Sequence, residues 1–314
     1  MPARVLNTSA RVVIAGGSGF IGSALAREFS IRGYQVVILT RSPRERGGSI
    51  KEVAWDGQTM GEWIKFLDGA DAVINLAGKS AQCLYTPENL RLISASRVDS
   101  VRAIAAGCEY VKQPPRVWVQ ASAIGYYGET GGDICDENSP GGGGALAEVC
   151  KQWEGAFNAV STPKTRRVLL RIGFALGNGG GGLPVLARLT KLFLGGRAGH
   201  GRQYVSWIHI ADLAAMFVAA VEEEKFSGAY NAVGPGADTN AELMREMRHA
   251  WRRPWSPPVP AFVVRLGARL MGMEASMILG SCRVAPRRFL AGGFRFQFPD
   301  LGPALRDLCQ NKET

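Results

Sequence analysis

The sequence predicts an α/β fold, a doubly wound parallel sheet with a smaller C-terminal substrate lobe. Three observations carry this. Short apolar runs alternate with helix-length amphipathic segments through the first half. The first of those runs breaks into glycines at 16, 17, 19 and 22. After residue 173 the alternation loosens, as in a lobe that covers the cleft of a sheet. At 314 residues the chain can bury one large core, or one domain plus a smaller lobe.

Val12-Val13-Ile14-Ala15 closes the first strand, 11–15, and a helix pattern follows at 20–32. Between them the glycines fit two spacings, G-x-G-x-x-G from Gly17 and G-x-x-G-x-x-G from Gly16. In a chain with 40 glycines, three at one fixed spacing should arise by chance about 0.6 times, so context decides between a binding motif and an ordinary glycine-rich turn. The context is strand, tight turn, helix. Glycines there let the backbone approach a pyrophosphate, and the helix N-terminus offers free N–H groups and a partial positive charge. The segment 11–173, with later segments returning to it, therefore reads as a Rossmann-type nucleotide-binding domain.

The remaining strands of that domain fall at 35–40, 71–76, 116–121 and 167–172, with helices at 88–111 and 146–160. Ligands in such sheets bind beyond the carboxyl ends of the strands. The loops 16–19, 41–48, 77–87 and 122–145 are thus where chemistry is expected. Residues 174–308 form most of the substrate lobe, basic over 255–308. Gly177 to Gly182 predict a mobile loop, 184–194 a helix, 195–201 a turn and 229–233 a strand. A helix at 239–251 opens on Thr239 or Asn240 as cap. Pro254, Pro257, Pro258 and Pro260 mark a joint before a last helical segment near 261–272.

Hydrophobic content of 46% with 20% charged residues suits a soluble globular chain. The longest apolar run, Leu213 to Val221, is half a membrane span and ends in three glutamates. No secretory signal is readable, so the cytoplasm is the expected compartment. Six scattered cysteines form no metal-ligand spacing and are expected to be reduced and mostly buried, with no metal bound. Net charge is +10, and residues 241–298 hold ten arginines against three glutamates. No nucleic-acid motif accompanies them, so a solvated basic face near a phosphorylated ligand is preferred over a nucleic-acid surface.

The nucleotide is read from the end of the second strand. An acidic residue about 20 positions past the glycines favours NAD. Here Arg41 stands there, with Arg44 and Arg46 after it. A guanidinium suits a 2′-phosphate through bidentate, charge-assisted bonds, which points to NADP.

Four stretches then resemble the extended short-chain dehydrogenase/reductases: Gly16–Gly22, Asn75-Leu76-Ala77-Gly78, Ser122 to Gly128, and Ser206 to Asp212. The chain is most similar to the atypical "epimerase family" branch, through Gly201-Arg202-Gln203, Asn231 to Pro235, Thr239-Asn240-Ala241-Glu242 and Val284 to Gly293. The resemblance implies that Gly16, Gly19 and Gly22 line the pyrophosphate while Phe20 and Ile21 give backbone amides. It puts Thr40 and Arg41 at the adenosine phosphate, Leu76 and Ala77 along the cofactor, and Arg97 within its reach. Ser122 would hydrogen-bond a substrate carbonyl or alcohol.

Two departures matter. Most relatives carry a Tyr-x-x-x-Lys pair, whose tyrosine is the general acid/base and whose lysine lowers its pKa and holds the nicotinamide ribose. Anchored on Trp153-Glu154, those positions are Leu146 and Cys150, and Lys151 is turned about 100° around the helix. Lys79 stands where similar proteins tend to have Glu. Tyr126 and Tyr127 are the stand-in acids, packing being the alternative. Glu137 reads as a solvated loop residue or a cleft residue, and His209 as a fold-stabilising hydrogen bonder near Asp212 or a base. Arg202 and Arg171 are candidates for an anionic substrate, with structural pairing as the rival reading for Arg171. The function expected is an NADP-dependent oxidoreductase or epimerase for a small polar substrate, a nucleotide sugar being one such kind. The rival is a catalytically degenerate NADP-binding sensor. No nucleic-acid or membrane partner is expected, and the chain is expected to be a monomer or homodimer.

Overall fold

The structure, a computed structural model, describes residues 10–45 and 47–310. Seven parallel strands form one sheet: β1 (Arg11–Ala15), β2 (Gln35–Thr40), β3 (Ile50–Ala54), β4 (Ala72–Asn75), β5 (Val117–Ala123), β6 (Arg166–Ile172) and β7 (Gly228–Ala232). Their spatial order is β3-β2-β1-β4-β5-β6-β7. The order reverses between β1 and β4, and the crevice at their carboxyl ends is the ligand position of such sheets.

Apolar content explains the interior strands. Val12 to Ala15, Val36 to Leu39, Ala72 to Ile74 and Val117 to Val119 are all buried, as expected where helices cover both faces. Helix α1 (Phe20–Ile31) packs on one face beside α5 (Ile210–Glu222), and α2 (Pro87–Tyr110) and α3 (Ala145–Ala159) pack together on the other. The run Leu213 to Val221 is thus a helix buried against the sheet. Among the described residues no helix is long and apolar enough to cross a membrane.

One strand differs from the sequence reading. β3 was not expected: Ile50-Lys51-Glu52-Val53-Ala54 is a half-exposed edge strand, so it lacks a continuous apolar run. The strand expected at 229–233 is β7, which returns to the main sheet and pairs with β6 from Gly228 to Ala232. A second core joins Leu183 and Ala187 of α4 (Leu183–Lys191) to Leu243 and Met247 of α6 (Asn240–Ala250). Leu301, Leu305 and Leu308 of the last helix, Leu301–Gln310, complete it. That last helix was not expected, and α7 (Ala261–Leu270) precedes it. Thr239 caps α6 in a reciprocal capping box with Glu242.

Buried polar residues tie the halves. Asp212, on the apolar α5, accepts backbone N–H groups of Gln297 and Phe298 at 2.7 and 2.9 Å. His209 caps α5 by accepting from Ala211 N–H at 3.1 Å, stacks on Phe298, and places Nε2 3.3 Å from Asp307. Burial lowers its pKa. These roles match the fold-stabilising reading of His209, with Asp307 rather than Asp212 as its partner. The six cysteines are free, but only Cys108 and Cys150 are buried and the other four are part-exposed, against the expectation of mostly buried thiols.

A Cβ at Gly22 would stand 2.5 Å from Gly17 Cα and 2.7 Å from Gly16 O, both backbone atoms that cannot give way singly. Gly22→Ala is therefore expected to cost about 2–3 kcal/mol in urea unfolding, as overpacked sites do. Gly155→Ala, on an open face of α3, should be neutral or stabilising.

Candidate functional site

The glycine turn lies at the switch point. Gly16 has φ +76°, and a Cβ on it would stand 3.0 Å from Leu76 C and Ala77 N. This close approach sets the end of β1 against the chain leaving β4. A Cβ on Gly19 would meet only Gly16 O, at 3.5 Å, so that side is open. Gly19 is also the N-cap of α1 and supplies no side-chain cap, and the first turn carries no acidic residue. The helix therefore keeps unmet N–H groups and an uncompensated positive end, the requirements for holding a pyrophosphate. The residues present fit a dinucleotide.

Thr40, at the end of β2, shares a 3.1 Å hydrogen bond with Ser18 of the turn. Arg41 beside it is exposed, makes no ion pair among the described residues, and lines a cleft of about 320 Å³ with Trp55, Asp56 and Met60. Arg46 lies outside the described residues. Phe20 presses its ring under Gly177, Gly180 and Gly181, where a Cβ would clash with it, and Asn178 donates to Leu308 O at 2.7 Å. The loop expected to be mobile is thus packed over the start of α1. A larger cavity, about 590 Å³, opens at the amino ends of β5 and β6 among Arg102, Cys108, Lys164 and Thr165, away from this crevice.

The other end of the site is built around α3. Leu146 and Cys150, at the positions of the missing dyad, both face Gly125. Burial pushes the Cys150 thiol up to about 12, so it stays protonated. One turn on, Glu154 is buried and paired in bidentate fashion with Arg171 of β6, at 2.9 and 2.8 Å. Ser122 donates to the same carboxylate at 2.7 Å. Arg171 Nη1 donates to Tyr127 Oη at 2.8 Å. That phenol in turn lies 2.8 Å from both Asn231 Oδ1 and Asp136 O. Asn231 Nδ2 donates onward to Ala285 O at 3.0 Å. Burial works to lower the Arg171 pKa, but its bonds and charge pairing with Glu154 outweigh that and raise it. Burial pushes the Tyr127 phenol up to about 12, against the pull of Arg171 and Asn231.

This network engages two of the candidate hydroxyls. The Ser122 proton is committed to Glu154, and Tyr127 donates within the network and stays un-ionised near neutrality. Neither hydroxyl is a free acid in this arrangement. Arg171 takes the structural role. Tyr126 differs: it is half-buried, its hydroxyl makes no hydrogen bond among the described residues, and its ring lies 3.7 Å from the Arg171 guanidinium. Gly141 packs against both the Tyr126 ring and Lys151 Cε, although the Lys151 ammonium pairs with Glu148 at 2.9 Å.

Other predicted residues scatter. Glu137 is not a solvated loop residue: its Oε1 accepts from Asn231 N–H at 3.1 Å and Arg288 N–H at 3.3 Å, and its Oε2 is buried with no hydrogen-bond partner among the described residues. Arg202 is exposed, its backbone N–H bonded to His200 Nδ1. Lys79 is exposed, and its backbone is held by Ser96 and Arg97. Arg97 reaches the loop leaving β4, and near it stands Tyr85, which sequence reasoning missed because nothing in its spacing marks it. Glu154 had a readable signal: an acidic residue among Ala147, Cys150, Trp153 and Phe157 on one apolar helix face requires a buried cation.

Residues 12–143 match the NAD dependent epimerase/dehydratase family, and residues 259–308 match a second family described as Domain of unknown function (DUF1731). The chain is 35% identical over 304 residues to Epimerase family protein SDR39U1 from Bos taurus, covering 95% of this chain and 99% of that protein. It superposes on the crystal structure of human epimerase family protein SDR39U1 (isoform 2) with NADPH at a TM-score of 0.85 and 33% identity, covering 96% of this chain and 99% of that one. UDP-N-acetylglucosamine 4-epimerase from Bacillus cereus, at a TM-score of 0.73 and 18% identity, covers 97% of this chain and 96% of its own and shares the fold.

The buried pair has a testable asymmetry. Glu154→Ala leaves Arg171 charged and unpaired and should cost about 3–5 kcal/mol, whereas Glu154→Leu combined with Arg171→Met should recover much of that loss. Ser122→Ala removes one hydrogen bond and should cost about 1–2 kcal/mol. Urea unfolding of the four proteins measures this.

Proposed function

The chain belongs to the epimerase family of atypical extended short-chain dehydrogenase/reductases, and from that premise we propose that it is an NADP(H)-dependent oxidoreductase or epimerase acting on a small polar substrate. The observation that carries this reading is the intact cradle. The turn at Gly16–Gly22 has no room for side chains on its inner side and is open at Gly19, and the α1 N-terminus is uncapped. The dihydronicotinamide, when bound, supplies a hydride.

The chain's own residues divide the remaining work. Gly16, Gly19 and Gly22, with the amides of Phe20 and Ile21, hold the pyrophosphate. Thr40 and Arg41 hold the adenosine phosphate, with the exposed guanidinium selecting a 2′-phosphate. Leu76 and Ala77, pressed against Gly16, form an apolar wall that excludes water along the cofactor. Tyr126 presents the one sequence-predicted hydroxyl outside the network, and orients a substrate oxygen. Arg202 on the exposed rim meets an anionic group of the substrate.

A second reading, a cofactor-binding sensor without turnover, is favoured by one observation: the two positions of the usual proton-transfer pair carry Leu146 and Cys150, which cannot take that role. Two measurements separate the readings. NADPH fluorescence enhancement should report tight binding, weakened about 10-fold or more in Arg41→Ser, with NADH binding little altered. Equal loss for both nucleotides would overturn the 2′-phosphate assignment. Stopped-flow absorbance of the NADPH-loaded protein with a panel of aldehydes, ketones and keto sugars should show oxidation with at least one. Binding without oxidation across the panel selects the sensor.

A further inference from the structure

The loop from β4 to α2 holds a phenol that the fold does not use. Tyr85 Oη is buried and has no hydrogen-bond partner among the described residues. Such a group is costly to retain for packing alone, because phenylalanine fills the same space without the unmet hydroxyl. The loop is fixed at its far end, where Thr86 caps α2 and Asn89 Nδ2 donates to Leu84 O at 2.9 Å.

Within electrostatic reach of it is a cation that lacks a charge partner. Arg97, on α2, makes no ion pair among the described residues. Its Nη1 donates only to the carbonyls of Lys79 and Ile93, at 2.9 and 3.0 Å, and its guanidinium lies 4.9 Å from the Trp153 ring of α3. Gly78 makes room for it: a Cβ there would stand 3.1 Å from Arg97 Cγ, Cζ and Nη1. Arg97 therefore lies against the segment leaving β4, next to the wall that Gly16 touches.

Tyr85, Arg97 and Cys150 lie within electrostatic reach of one another, with Cys83 from the same loop and Glu274 from beyond α7 completing the surroundings of the phenol. Burial pushes the Tyr85 phenol above the usual tyrosine range, Cys83, Glu274 and Cys150 push the same way, and Arg97 opposes them. Cys150 occupies the position of the missing lysine. The unpartnered hydroxyl and the unpaired cation thus lie within electrostatic reach of that position, carried by α2 and its preceding loop, where the usual pair would sit on α3.

We propose that Tyr85 and Arg97 replace the absent Tyr-x-x-x-Lys pair, with Tyr85 as the proton donor to the substrate oxygen and Arg97 as the charge that stabilises the resulting phenolate. This rests on the hydride-transfer reading above. In the reducing direction the carbonyl carbon gains the hydride supplied by the reduced dinucleotide, and the carbonyl π pair takes the Tyr85 proton to form an O–H bond. The product is an alcohol, the dinucleotide is left oxidised, and the phenolate recovers its proton from water. Arg97 is a second contact of the site, donating its remaining N–H groups to the cofactor ribose or the substrate.

The test needs no knowledge of the substrate. Near-ultraviolet difference titration of wild type against Tyr85→Phe isolates this phenol, and Tyr85→Phe should fold because it loses only an unmet hydroxyl. In the free protein Tyr85 should not ionise before alkaline unfolding. With NADP+ bound, whose nicotinamide ring is cationic, its ionisation should fall by about one pH unit or more into the folded range. Arg97→Met should abolish that fall and Arg97→Lys should retain it. NADP+ binding by Trp fluorescence quenching that leaves the Tyr85 ionisation unmoved would overturn this inference alone. Failure of NADP+ to bind would overturn the cofactor reading, and this inference with it.

Discussion

The buried Glu154–Arg171 ion pair is the interaction on which the rest of the site depends. Both side chains are 7% exposed, so each charge would be untenable without the other. The pair fixes α3 to β6, and its spare hydrogen-bonding capacity recruits Ser122 of β5 and Tyr127 of the following turn. Tyr127 then reaches Asn231 of β7, and Asn231 reaches Ala285. One network thereby joins the central sheet, the loops at its carboxyl edge and the C-terminal lobe. Its satisfaction is what makes it stable, since a partly satisfied polar network is worse than an apolar core.

That same completeness limits the chemistry. Hydroxyls locked into a structural network cannot also deliver protons, and α3 presents Leu146 and a protonated Cys150 where the wider short-chain dehydrogenase/reductase pattern would place an acid and its cation. The nucleotide end shows the opposite design. Among the described residues, the first N–H groups of α1 and the Arg41 guanidinium have no side-chain partner, the condition of groups that await a ligand. At the other end the Tyr126 and Tyr85 hydroxyls have no hydrogen-bond partner among the described residues, and Arg97, bonded only to backbone carbonyls, has no ion pair there. The division between satisfied and unsatisfied polar groups separates framework from site more sharply than residue type does.

The sequence made the sheet legible because its interior strands are nearly continuous apolar runs and its nucleotide turn is set by steric need for glycine. It hid β3, a polar edge strand, and left open which later segment returns to the sheet, since the pairing of β7 with β6 is a long-range fact with no local signature. In the site, Gly16 to Gly22 and Arg41 were readable from local context. The bonds that Ser122 and Tyr127 make within the fold were not legible because their partners lie far along the chain: Glu154 is on α3, and Arg171 and Asn231 are on β6 and β7. Glu154 on an apolar helix face and Arg171 inside Val-Leu-Leu-Arg-Ile were jointly a hint of a buried pair. Tyr85 had no such hint, since an unmet hydroxyl is visible only when its surroundings are.

On this proposal α3 serves as framework while proton transfer comes from the side of α2. A crystal structure of the NADP+ complex tests it most directly. Tyr85 Oη and Arg97 should lie within about 4 Å of the nicotinamide riboside or of the space facing its reactive carbon, with Ser122 still donating to an intact Glu154–Arg171 pair. A complex in which Ser122 has left Glu154 to face the nicotinamide, with Tyr85 turned away from it, would contradict the claim.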